Sequence, residues 1–202
     1  MRDRNIIAVN PSTYGAFLSR LDAAPNPNDR LRQTAKRVER LLGSQLMLLL
    51  AQDDVASFNC GVKSLDDWLK RQMRVDAVST PPWTFVLRDR GKVIGYYVLA
   101  PGLVEVIGAG ANAKNNGRAT SVMILSRLAI DRAQQGKGLS RALMRDLLER
   151  AVRAEHTGGT RAVLVQATSA GEKEFLLSLG FELSGLGPTT LIMTVADAKA
   201  AI

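Results

Sequence analysis

The 202-residue chain is long enough for one α/β domain with a buried core and a small appendage. Its 46% hydrophobic and 23% charged residues suit a soluble globular protein, and no apolar run approaches the roughly 20 residues a membrane span needs. A single cysteine, Cys60, and a single histidine, His156, exclude an internal disulfide and argue against a metal cluster, while a net charge of +8 points to a polyanionic partner, either a nucleic acid or a phosphate-rich cofactor.

The chain opens on Met1–Asn5 and a short apolar run, Ile6–Val9, closed by Asn10-Pro11. That run lacks the length and cleavage signature of a secretory leader, so a cytoplasmic location is expected. Tyr14, Phe17, Leu18 and Leu21 then fall at the i, i+3, i+4, i+7 spacing of one helical face, with Ser12 as the expected N-cap. Ala24-Pro25-Asn26-Pro27-Asn28 ends this helix, because proline forbids its continuation. Asn28 or Asp29 can cap a second helix whose stripe is Leu31, Ala35, Val38, Leu41 and Leu42, with Arg30, Arg32, Lys36, Arg37 and Arg40 on its other faces. Some forty residues cannot bury a core of their own and must lie on the rest of the chain. Docking through Tyr14, Phe17, Leu18, Leu21 and Leu31 is expected to be apolar. The reading is an arm and linker over 1–45 and a main domain over 46–202, with Gly43-Ser44 either a natural turn or the join of a fusion.

From Leu46 the pattern alternates between strands and helices. Leu46–Ala51 reads as a strand, and Ser64 as the cap of a helix carrying Leu65, Trp68, Leu69 and Met73. Pro81-Pro82 precedes two strands, Trp83–Arg88 and Lys92–Leu99, turned at Asp89-Arg90-Gly91. Gly108–Asn116 reads as a loop. A strand over Val122–Ile130, a helix over Gly138–Ala154, a strand over Ala162–Gln166, a helix over Gly171–Leu179 and a strand near Thr190–Val195 complete the chain.

The most informative stretch runs from Leu125 to Met144. A buried strand enters the loop Gln134-Gln135-Gly136-Lys137-Gly138 and passes straight into an amphipathic helix with Leu139, Ala142, Leu143, Leu147, Leu148, Ala151 and Val152 inside. Two close glycines let backbone N–H groups turn inward, and the helix N-terminus adds unpaired donors and a positive dipole end. That combination suits a pyrophosphate, with Arg132, Lys137 and Arg141 adding charge. The loop is not a Rossmann fingerprint, since Arg141 stands at the third glycine, and it lacks the Gly-Lys-Ser/Thr of a Walker loop.

This stretch resembles motif A of the GNAT acetyltransferases, and Ala162–Phe181 resembles the motif that comes after it. Within that superfamily the likeness is closest to the toxins that acetylate aminoacyl-tRNA. It rests on Phe58–Lys70, Gly95–Ala100, Arg127–Asp131, Glu174-Phe175 and Leu179-Gly180-Phe181. The resemblance implies a mixed α/β (α+β) GNAT fold, a central mixed sheet flanked by helices with a two-helix arm packed on it. It implies acetyl-CoA as cosubstrate, held by Leu128, Ala129, Ile130, Gln134, Gln135, Gly136, Lys137, Gly138, Leu139 and Ser140. It also implies aminoacyl-tRNA as acceptor, contacted by Arg127, Arg132 and Arg141, together with a homodimer and neither metal nor membrane. Ala16–Arg32 resembles the C-terminal arm of the ribbon-helix-helix antitoxins paired with these toxins, so an inhibitory arm in cis is expected.

One position departs from the family. The toxins carry a tyrosine after the Glu-Phe pair, as the acid that protonates the departing thiolate, and here that position is Leu176. Ser169, Ser178, Tyr96 and Tyr97 are the alternative donors, although strand packing also explains the tyrosines, one expected to face in and one out. Structural readings suit the other singled-out residues: a small buried Cys60, helix-opening Glu172 and Glu174, core Trp68 and Trp83, and a solvated His156 in a turn. The sequence therefore leaves three readings open. They are an autoinhibited aminoacyl-tRNA N-acetyltransferase toxin, an impaired GNAT domain that binds without turnover, and an acetyltransferase for proteins or small amines.

Overall fold

The computed structural model describes residues 5–26, 46–73, 81–106 and 119–202. The second helix of the arm, with Leu31, and the Gly108–Asn116 loop lie outside these residues. The elements in chain order are β1 (Asn5–Val9), α1 (Pro11–Leu21), β2 (Leu46–Leu48), α2 (Lys63–Gln72), β3 (Trp83–Asp89), β4 (Lys92–Val106) and β5 (Ala119–Ile130). They continue with α3 (Leu139–Gly158), β6 (Ala162–Gln166), α4 (Ala170–Ser178), β7 (Glu182–Leu183), β8 (Thr190–Thr194) and α5 (Val195–Ala201). The strands take the order β2-β3-β4-β5-β6-β8-β7, with β1 beside β4. β1 runs parallel to β4, whereas β2–β3, β3–β4, β6–β8 and β7–β8 are antiparallel, so the sheet is mixed as expected.

The chain divides into two compact units that share the long strands β4 and β5 and the helix α3. One unit holds Arg32–Ala100 and Leu125–Leu147. There β3 and β4 form a hairpin turned by Arg90 and Gly91, both at positive φ, as a two-residue hairpin turn requires. Phe58, Leu69, Val86, Tyr96 and Val98 build a core on one face of these strands, with Trp68 of α2 packed against it. Neighbouring Tyr97 stacks on Phe85 with ring centroids 5.0 Å apart, and its hydroxyl bonds the Asp146 carboxylate of α3. Tyr96 and Tyr97 do alternate across the strand, but both are wholly buried. The expectation that one faces out is corrected, because helices cover both faces.

The other unit holds Met1–Leu31, Pro101–Ile124 and Leu148–Ile202. The arm is stitched into it. Ile6–Val9 is a strand, not just an apolar run: β1 pairs residue for residue with β4, from Asn5 opposite Gly102 to Val9 opposite Val106. α1 is capped by Asn10, whose side chain accepts from Thr13 N, and Pro11 takes the first helical position that proline favours. Ser12 instead donates to the Asn10 side chain, so the expected cap moves back two residues. Tyr14, Phe17 and Leu21 bury themselves among Val104, Val122, Ala162, Leu164 and Ile192, with Leu18 partly buried alongside. Phe17 is completely enclosed, so Phe17→Ala is expected to lower the unfolding free energy by about 3–5 kcal/mol in urea titrations. A change below about 1 kcal/mol would show that α1 adds little to this core.

The docking is not only apolar, which corrects that expectation. Arg20 donates to Glu182 at 2.5 Å and to Asp197 of α5 at 2.7 Å, Asn26 N donates to Asp197 at 2.8 Å, and Arg161 pairs with Asp22 at 2.7 Å. Burial alone would push the Asp197 carboxyl upward. The Thr194 hydroxyl, the Asn26 N–H and Arg20 outweigh it and hold the group below its usual range. A depressed folded-state pKa gives stability that is present above the unfolded value and lost as pH falls through the folded one. Below about pH 4 the protein is therefore expected to lose stability, and Asp197→Asn should flatten that acid limb in pH-dependent thermal melts. An unchanged limb would show that Asp197 does not set the acid stability.

Three smaller corrections concern the helix ends. α2 starts on Val62 without a side-chain cap, so Ser64 lies inside the helix. α3 runs on to Gly158, which places His156 in a helix and not a turn, although its side chain remains solvated. After β8 the chain forms α5, capped by Thr194, where the sequence suggested only a closing strand.

Candidate acyl-CoA site

The unit with β5 and the start of α3 brings together all but one of the expected site residues. Leu128, Ala129 and Ile130 close β5, and the backbone stays in register as Asp131 N donates to Ile94 O at 2.9 Å. A short 3-10 turn, Arg132–Gln134, leads into the loop, with the Asp131 carboxylate accepting from Ala133 N. Gly136 and Gly138 have φ of +75° and +83°, a region where a side chain is strained, and a Cβ at either would meet only open space. The space is open, so the glycines are needed for backbone conformation and for what approaches from outside. Among the described residues, the backbone N–H groups of Gly136, Lys137, Gly138, Leu139 and Ser140 engage no acceptor. Leu139, buried, anchors the first turn of α3, whereas Ser140 is half-buried.

These five donors, on a left-handed glycine pair leading into a helix N-terminus, make a cradle suited to an anion. Positive charge surrounds it, with Lys137, Arg132 and Arg141 all exposed. Lys137 Nζ donates to Gln134 Oε1 at 2.8 Å, which keeps its charge over the loop. A pyrophosphate fits this donor set.

Gln135 plays a part that spacing did not reveal. Its Nε2 donates to Ile130 O at 2.9 Å and to Cys60 O at 3.0 Å, so the side chain braces the loop and does not face an anion. Arg127 lies with its guanidinium carbon 4.5 Å from the centroid of Trp68. Trp68 stacks on Tyr96 with centroids 5.8 Å apart, and Tyr96 meets Phe58 edge to face at 5.6 Å. Trp68 is thus a half-buried platform for a cation as well as part of the core.

Leu176 belongs to the other unit. It sits in α4, is 1% exposed, and its carbonyl accepts from Leu179 N and Phe181 N. Its side chain offers no proton. Among the four alternative donors, Tyr96 gives its hydroxyl proton to Leu65 O at 2.9 Å, and burial holds its pKa well above the ordinary tyrosine value. Tyr97 bonds Asp146, and Ser178 donates back to Phe175 O at 2.7 Å. Ser169 is the N-cap of α4, where it accepts from Glu172 N, and Glu172 in turn accepts from Thr168. These roles are structural, as the sequence suggested for Glu172. Cys60 is buried, and its thiol is shifted upward chiefly by that burial, which suits packing and not nucleophilic attack. The described residues contain no group of side chains able to hold a metal ion. No helix among them is long and apolar enough to cross a membrane.

Residues 47–181 match the acetyltransferase (GNAT) family. A tRNA-acetylating toxin of Mycobacterium tuberculosis is 39% identical over 151 residues, covering 74% of this chain and 91% of that protein. Among solved structures, the KacTA–DNA complex is similar with a TM-score of 0.64 at 24% identity, over 77% of this chain and 96% of that one. A tyrosine-to-phenylalanine mutant of the AtaT toxin, bound to the C-terminus of the antitoxin AtaR and acetyl-CoA, gives a TM-score of 0.62 at 25% identity, over 76% and 94%.

Proposed function

We propose, since the chain belongs to the acetyltransferase (GNAT) family, that it transfers the acetyl group of acetyl-CoA to the free amine of aminoacyl-tRNA, as a translation-blocking toxin restrained by its own N-terminal arm. The observation that carries this reading is the cradle of five unengaged N–H groups over Gly136–Ser140. The 39% identity to a tRNA-acetylating toxin supports the choice of acceptor.

In this reading acetyl-CoA supplies an activated thioester. The loop and the first turn of α3 hold its pyrophosphate through backbone donors, with Lys137 and Arg141 balancing the charge. Transfer then needs an amine placed near the carbonyl and a route for two protons: one leaves the amine, one reaches the thiolate. Arg127, fixed over Trp68, and Arg132 are basic groups suited to tRNA phosphates. The arm contributes a net +4, from eight basic and four acidic residues up to Gln45, so it cannot restrain the domain by imitating the tRNA's charge. Its restraint is steric.

A second reading is favoured by one observation: the buried Leu176 side chain, which has no acidic proton to donate. It is a domain that binds acetyl-CoA and tRNA but turns over slowly. Thiol release from acetyl-CoA separates the readings when charged tRNA, deacylated tRNA and a lysine-rich peptide are compared. Release with charged tRNA alone supports the toxin reading, and binding without release supports the impaired one. Release with the peptide would overturn the assignment of the acceptor.

A further inference from the structure

The Phe58–Lys70 run and the phosphate loop are separate in sequence, yet five hydrogen bonds join or stiffen their meeting point. Asn59 N donates to Asp131 Oδ2 at 3.0 Å, and Arg132 N donates to Asn59 O at 2.8 Å. Gln135 Nε2 reaches Cys60 O at 3.0 Å, Gly61 N donates to Asn59 Oδ1 at 2.9 Å, and Cys60 N donates to Asp66 Oδ1 of α2 at 2.9 Å. At Gly61, φ is +93°, and a Cβ would lie 2.6 Å from Arg132 Nε, so the arginine side chain closes directly over this backbone. In the second turn of α2, Trp68 carries the Arg127 guanidinium.

From this arrangement we propose that Gln135 is a positioning residue, and that Asn59–Gly61 is a strut through which acyl-CoA binding and the Trp68–Arg127 face of α2 stabilise one another. The physical basis is direct. Gln135 has two amide protons and gives one to the end of β5 and one to the strut. Its side chain thereby fixes the left-handed turn at Gly136 against both. An anion that draws the N–H groups of Gly136–Ser140 into one orientation restricts Gln135, and Gln135 restricts the strut and α2. By thermodynamic reciprocity, anything that orders α2 or Arg127 must tighten the loop's hold on the anion to the same degree. Nothing in this chain of contacts requires a change of fold. Lost motion is enough to couple the sites. The inference rests on the acyl-CoA reading of the loop.

The test uses the full chain and coenzyme A itself, read by amide hydrogen exchange and by titration calorimetry. In the wild type, coenzyme A should slow exchange over residues 136–141 and also over 59–70. Gln135→Met keeps the side-chain length but removes both donors. It should weaken coenzyme A binding by about tenfold, because a loop no longer held in place must be ordered when the anion binds, and confine protection to 136–141. Thermal melts check that the variant is folded. If it is not, Asp131→Asn tests the same link, because each carboxylate oxygen accepts from a different N–H and an amide can serve only one. Protection confined to 136–141 in the wild type would overturn the proposal. So would affinity of Gln135→Met within about twofold of wild type. If coenzyme A fails to bind the wild type at all, the acyl-CoA reading of the loop falls first and the coupling with it.

Discussion

Gly138→Asp is expected to lower the affinity for acetyl-CoA at least about 100-fold, to the point where calorimetric titration shows no heat at high micromolar ligand. Two separate effects combine. Gly138 holds φ at +83°, and a side chain there costs about 1–2 kcal/mol. The aspartate carboxylate would also stand where the phosphates must lie, adding like-charge repulsion of several kcal/mol in a site built from donors. Gly138→Asn separates the two, because asparagine has nearly the same shape and tolerates the left-handed region but has no charge. Its loss should be intermediate. Near-native affinity for Gly138→Asp would show that the anion is held elsewhere.

Leu176→Tyr is expected to raise acetyl transfer to charged tRNA by at least about tenfold, since a positioned general acid is typically worth ~10²–10⁴-fold. The expectation comes from the family resemblance, which places a tyrosine there as the acid for the thiolate. The structure adds a cost. Leu176 is 1% exposed, so a larger ring must displace its neighbours, and overpacking of this kind costs about 1–3 kcal/mol. A lower melting temperature should therefore accompany the faster rate. Leu176→Phe is the control, with the same ring and crowding but no hydroxyl. A rate for Leu176→Tyr well above that for Leu176→Phe assigns the gain to the proton. Equal rates, with acetyl-CoA binding intact, would show that a tyrosine is not what limits this enzyme.

Local features of the fold were legible, and long-range ones were not. The strand, loop and helix over Leu125–Met144 could be read directly, because glycine spacing and helical periodicity are encoded within twenty neighbouring residues. β6 has the bounds that its apolar run suggested, Ala162–Gln166. The sequence does not reveal β1, because four apolar residues before Asn10-Pro11 carry no periodic signal. What makes them a strand is parallel pairing with residues nearly a hundred positions away. The Arg20–Asp197 pair was hidden for the same reason. α5 did leave a signal: Thr194 stands three residues before Asp197, the spacing of an N-terminal cap, and Asp197 N donates to Thr194 Oγ1 at 3.0 Å while the Thr194 hydroxyl donates to the Asp197 carboxylate at 2.6 Å.

The candidate site divides in the same way. Gly136 and Gly138 could be read as a candidate phosphate turn, and both have positive φ with open space beside them. The resemblance placed Gln135 among the loop residues that hold acetyl-CoA, with nothing to set it apart from its neighbours. Its reach to Cys60 depends on where the Phe58–Lys70 run settles, which no local pattern encodes. Tyr96 and Tyr97 could be assigned to opposite faces of a strand. Their complete burial required knowing that helices cover both.

In the proposed function the acetyl group passes to the amine of aminoacyl-tRNA and the arm restrains the transfer. Mass spectrometry of a charged-tRNA pool, after incubation with acetyl-CoA and either the full chain or residues 46–202, tests it most directly. Removing the arm uncovers the apolar floor of Val104, Val122, Leu164 and Ile192, so the shorter chain must first be shown to stay folded and monodisperse. An acetyl group is expected on the α-amine of one or more aminoacyl-tRNAs, in greater yield with residues 46–202 than with the full chain. An unmodified pool, or equal yield from both proteins, would contradict it.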